Sequence, residues 1–93
     1  MTIKARVINT IGRKDEEGGL EFRAQMQLEE GGELLDTLVY DAYFDQHWEL
    51  EDSQLIEEPE NLEYRHWVKC NVEKIHDLLI AYRCSGRHIY CQL

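Results

Sequence analysis

Five side chains near the C-terminus have the chemistry of soft metal ligands. His66 and Cys70 stand four residues apart, and Cys84, His88 and Cys91 follow. Thiolate sulfur and imidazole nitrogen are what Zn2+ takes, four at a time and tetrahedrally, usually from short Cys-x2–4-Cys knuckles. This chain has no Cys-x-x-Cys pair. If residues 62–70 form a strand, His66 and Cys70 share a face but lie about 13 Å apart, at ~3.3 Å per residue. One ion does not bridge that gap without a bend. Residues 84–91 are more compact and can supply two ligands. The expectation is therefore no metal and no cofactor. Cys70 and Cys91 read as small buried hydrophobes, and Cys84, between Arg83 and Arg87, as a mildly reactive thiol.

The residue types for covalent catalysis are sparse. A nucleophile needs a base within hydrogen-bond reach and the base needs an orienting partner. Ser53 and Ser85 each sit in polar sequence, and neither lies in a nucleophile elbow. There is no Gly-x-Gly-x-x-Gly, no Walker loop and no His-Glu-x-x-His. Asp45, His47 and Glu49 have acid–base chemistry at close spacing, which a segment this acidic also produces by chance. The pairs Gly18-Gly19 and Gly31-Gly32 read as hairpin turns rather than phosphate cradles. A non-enzymatic role is expected.

What the sequence does carry is segregated charge. Between Arg23 and Arg65 there is no lysine or arginine over 41 residues, while thirteen acids fall in that stretch. The flanks are positive, so the whole excess behind the net charge of −9 lies in the middle. Like charge gathered on one surface repels itself and accelerates encounter with a cationic partner. Asp36, Asp41, Asp45, Glu49, Glu51, Asp52, Glu57 and Glu58 are the candidate complement to such a partner. Tyr43, Phe44 and Trp48 lie among them, and aromatic residues beside charges compose binding hot spots. The competing explanations are core packing for the aromatics and solubility for the acids. Net charge of this sign argues against direct contact with nucleic acid or anionic lipid, both of which need cationic surface.

Length and composition limit the scaffold. Ninety-three residues make one domain, 1–93, with a modest core. No apolar run is long enough for a membrane span. Three cysteines far apart do not form a secreted disulfide framework, which points to a reducing cytoplasm.

The elements that must position these residues are read from periodicity. Residues 2–11 and 20–28 alternate as two strands of a hairpin. Residues 33–40 fit a third antiparallel strand after the Gly31-Gly32 turn. A short helix is expected near 41–48, then irregular chain to Pro59. Residues 62–70 alternate again and read as a strand. Asn71 is placed to cap a helix of about three turns with Val72, Ile75, Leu78, Leu79 and Tyr82 inward. Gly86 ends it, and residues 87–93 close as a strand with Ile89, Cys91 and Leu93 inward. The fold expected is a two-layer α+β domain, an antiparallel meander followed by strand–helix–strand, with one main helix on the sheet.

The functional expectation is a small acidic inhibitor, of the kind made by phages and mobile elements against defence systems or used as antitoxin and immunity proteins. It docks on the basic surface of a nucleic-acid-handling protein and occupies its groove as a nucleic-acid mimic. The alternative is a homodimeric accessory domain whose acidic centre serves solubility, joined through a sheet edge or the aromatics.

Overall fold

The computed structural model of the chain describes residues 2–83. Four strands lie side by side in sequence order: β1 (Lys4–Lys14), β2 (Leu20–Glu30), β3 (Glu33–Phe44) and β4 (Leu50–Glu57). Every neighbouring pair is antiparallel. Two helices follow, α1 (Leu62–Cys70) and α2 (Val72–Tyr82). The domain is α+β, as the periodicity indicates.

The sheet has one packed face. Leu20, Phe22, Ala24, Met26 and Leu28 of β2 and Leu38, Tyr40, Ala42 and Phe44 of β3 point to it, and Val68, Ile75 and Leu79 cover it from the helices. Each large side chain taken from water here contributes about 1.5–3 kcal/mol. The blurred alternation around Ile8 is a register shift between Val7 and Asn9, which leaves Ile8 outside the pairing with β2. The central hairpin closes through Gly31 (φ 60°) and Gly32 (φ 84°), dihedrals that a two-residue turn between twisted strands requires.

Two expected elements take another form. Residues 41–48 are not a helix. Asp41 to Phe44 continue β3 with Ala42 and Phe44 inward, and after a tight turn the chain forms β4. Only Leu50, Ser53 and Leu55 of its residues are half-buried, and none is fully buried. Residues 62–70 are not a strand but α1. Asn61 Oδ1 accepts from the Glu63 N–H at 2.8 Å, Glu63 lies in the first turn and Lys69 in the last. Both charges suit the helix dipole. Asn71 does stand at the start of α2, yet its side chain donates to the Trp67 carbonyl (2.8 Å) instead of capping. Ile75 and Leu79 are buried as expected, whereas Tyr82, expected on the same inward face, is 38% exposed. Cys70, expected to be buried, is exposed. Gly86, the strand at 87–93, and Cys84, His88 and Cys91 lie outside the described residues.

Candidate functional site

The two outer strands of the sheet carry opposite charge. β1 holds Lys4, Arg6, Arg13 and Lys14 and no acid; β4 holds Glu51, Asp52 and Glu57 and no base, with Glu49 and Glu58 at its ends. Glu49, Glu51, Asp52 and Glu57 are all exposed. None forms an ion pair among the described residues. Among the described residues the acidic edge is therefore free of ion pairs, and no strand pairs with β4 on its far side.

The other acids singled out from sequence serve the fold. Asp36 Oδ2 accepts from the Asn61 N–H (3.1 Å) and Oδ1 from the Thr37 N–H (2.8 Å). Partial burial opposes its ionisation. The N–H groups of Asn61, Thr37 and Glu60 and the nearby Arg65 charge outweigh that and hold its carboxyl below the ordinary range. Asp41 receives Arg23 through two bonds, Nε at 2.6 Å and Nη2 at 2.9 Å. Glu58 lies 3.2 Å from Arg65. Phe44 is fully enclosed. It is packed in the core, not presented on the surface as an anchor would be.

Two hairpin turns share one design. In the first, Asp15 N–H donates to the Gly19 carbonyl (2.8 Å), Gly18 N–H donates to the Asp15 carbonyl (3.3 Å), and Asp15 Oδ1 accepts from Glu17 (2.9 Å) and Gly19 (2.8 Å). In the second, Asp45 N–H donates to the Glu49 carbonyl (2.9 Å), Trp48 N–H donates to the Asp45 carbonyl (2.9 Å), and Asp45 Oδ1 accepts from His47 (2.8 Å) and Glu49 (3.1 Å). Each is a three-residue loop that needs a left-handed residue in its last position. The first uses Gly18 (φ 91°); the second uses Trp48 (φ 64°). A left-handed L-residue costs about 1–2 kcal/mol. Trp48 is half-buried against the core, at the tip of the hairpin that leads into β4. Strain kept where glycine serves a matching turn is a signal that the side chain itself has a use.

The outer sheet face is concave, with a depression of ≈ 660 Å³ lined by residues from all four strands. Cross-strand register lines its charges up in rows. One row runs Arg13, Glu21, Tyr43, Asp52 and the next Ile11, Arg23, Asp41, Gln54. Arg13 pairs with Glu21 at 2.6 Å, so most of this charge is spent internally. On the helix side, Ser53 Oγ and His76 Nε2 lie 2.9 Å apart and tie α2 to β4. No carboxylate is hydrogen-bonded to the other ring nitrogen among the described residues, so the pair lacks the orienting group that nucleophilic catalysis uses.

No family model matches the chain, and neither a curated protein nor a solved structure matches it significantly.

Tyr43 is half-buried, and its hydroxyl donates to Asp15 Oδ2 at 2.6 Å. The hydrogen bond favours phenol and carboxylate together. It pushes the Tyr43 phenol up to about 12 and holds the Asp15 carboxyl below its ordinary value. A phenol raised in the folded state contributes stability in full below its ordinary pKa of 10.0, and that contribution is lost as pH rises through about 12. Ultraviolet titration of the folded chain should therefore show Tyr43 ionising at about 12, and Asp15→Asn should bring that step down toward 10.0. Unchanged titration in that variant would show that Asp15 is not the cause.

The residues of the acidic edge are legible in the sequence as charge, while their place on one strand is not. The left-handed backbone of Trp48 is not anticipated by any single-residue propensity. The signal was there, in the parallel between Asp15-Glu16-Glu17-Gly18-Gly19 and Asp45-Gln46-His47-Trp48-Glu49.

Proposed function

We propose that the chain is a stoichiometric inhibitor that docks its acidic edge, β4 with the Trp48 hairpin, on a basic surface of a nucleic-acid-handling protein. Trp48 carries the reading. A large aromatic side chain is held at a strained, glycine-type position beside exposed carboxylates that form no ion pair among the described residues. Desolvated aromatic anchors supply most interface energy, and surrounding charges steer approach and set partner choice. Carboxylates repeated along an extended strand present a cationic groove with the charge pattern it meets in a nucleic-acid backbone.

The test compares the wild type with Trp48→Gly and with a fourfold reversal, Glu49→Lys, Glu51→Lys, Asp52→Lys and Glu57→Lys. Tagged protein is used to capture partners from lysate, washed at low and then high salt. Wild type should retain a basic, nucleic-acid-binding protein that weakens at high salt, since charge contacts are screened over ~10 Å at 0.1 M. The reversal should abolish capture with the circular dichroism unchanged, because all four positions are exposed. Trp48→Gly should lose more than tenfold in affinity, the scale of a hot spot of at least about 2 kcal/mol. Its stability should change by no more than about 1–2 kcal/mol, because relief of the left-handed backbone offsets the lost indole contact. Undiminished capture by both variants would end the proposal.

A further inference from the structure

We propose that His66 and Cys70 form half of a zinc site, and that the same pair from a second copy of the chain completes it. Helical geometry makes this feasible. Residues four apart are neighbours on a helix, and on α1 the His66 Nε2 and Cys70 Sγ atoms stand 3.4 Å apart, joined by a hydrogen bond. A tetrahedral zinc with Zn–N of about 2.0–2.1 Å and Zn–S of about 2.3 Å holds those two atoms about 3.6 Å apart. The pair is thus set to chelating distance with almost no rearrangement. Both side chains are exposed, so an ion reaches them directly.

Two ligands leave a zinc ion half-coordinated. Among the described residues no third metal-binding side chain joins them. A two-fold axis beside the pair supplies the remainder without any new residue, because an isologous contact repeats each ligand. The resulting Cys2His2 set is a common structural one. Two thiolates neutralise Zn2+, so the neighbouring Lys69 is no obstacle. Each thiol releases its proton to solvent on binding, which makes uptake fall as pH falls. The same stripe of α1 begins with Leu62, 74% exposed and one turn before His66. It gives the second copy an apolar contact next to the metal.

The full chain, kept reduced with a non-chelating phosphine, is titrated with Co2+ and then Zn2+, with light scattering at each point. Expected are a thiolate-to-cobalt absorption band, its loss when zinc displaces cobalt, one ion per two chains, and a doubling of mass. Cys70→Ser and His66→Ala should each weaken uptake by about tenfold or more, and the chain should stay monomeric. Circular dichroism should be unchanged in both. A Cys84→Ser, Cys91→Ser double variant should bind like wild type. One ion per chain with no change in mass overturns the proposal, as does uptake that survives Cys70→Ser, uptake lost with Cys84 and Cys91, or no uptake from micromolar metal.

Discussion

Phe44→Ala should destabilise the domain by about 3–5 kcal/mol, the range for removing a buried phenylalanine. Phe44 is 0% exposed at the end of β3. Its ring meets Phe22 edge to face, with centroids 6.0 Å apart and an interplanar angle of 77°. Aromatic pairs of this geometry add about 0.5–1.5 kcal/mol beyond area burial. The core is built from two central strands and two short helices, so the cavity has few neighbours able to close over it. Domains of this size are stable by about 5–15 kcal/mol in total, and the loss is a large part of that. Urea titration should show a much lower midpoint with an unchanged slope. A surface anchor would behave differently, with stability within about 0.5 kcal/mol and only binding impaired. That second outcome would return Phe44 to the interface.

Gly19→Ala should cost about 1–3 kcal/mol by overpacking. The added methyl would stand 2.7 Å from Tyr43 Cζ and 2.9 Å from Asp15 Oδ2 and would press on Tyr43 Oη. The phenol is not free to swing aside without giving up its bond to Asp15. Gly19 is needed for the closeness of that side chain, unlike Gly18, whose left-handed backbone is the requirement. A double-mutant cycle separates this cause from others. In a Tyr43→Ala background the Gly19→Ala penalty should shrink to a few tenths of a kcal/mol, because contacting residues couple by about 0.5–3 kcal/mol. An equal penalty in both backgrounds would place the problem in the backbone.

What could be read from sequence followed the strength of each local pattern. The β2 strand is buried on one face over eleven residues, and its alternation is unambiguous. β4 was hidden because it lies at an edge. Its half-buried residues, Leu50, Ser53 and Leu55, are too few and too mixed to outline a strand among carboxylates. α1 was misread because Leu62, Tyr64, His66, Val68 and Cys70 happen to alternate. The inward set is Tyr64, Trp67 and Val68, at helical spacing, with Asn61 and Glu63 as its start signal. The same misreading separated His66 from Cys70. At the acidic centre the charge was visible, but its division was not. Asp36 and Asp41 are occupied by partners 25 and 18 residues away, Asn61 and Arg23, and no local pattern reveals such a tie.

The opposed edges give the molecule a preferred way of arriving. Successive strands are about 4.8 Å apart, so β1 and β4 are separated by roughly 14 Å, more than the ~10 Å over which 0.1 M salt screens a charge. A charged surface at close range thus feels one edge and not the sum of both. Under the proposed docking, a cationic surface attracts β4 more than β1, whose Arg6 and Arg13 are paired with Glu29 and Glu21, and the difference turns the domain as it approaches. Encounters that begin with the wrong side forward are rotated rather than rejected, and collision is converted into docking with less searching over orientation. Under the proposed docking, neutralising the bases of β1 should change the on-rate and its salt dependence and leave the dissociation rate nearly unchanged.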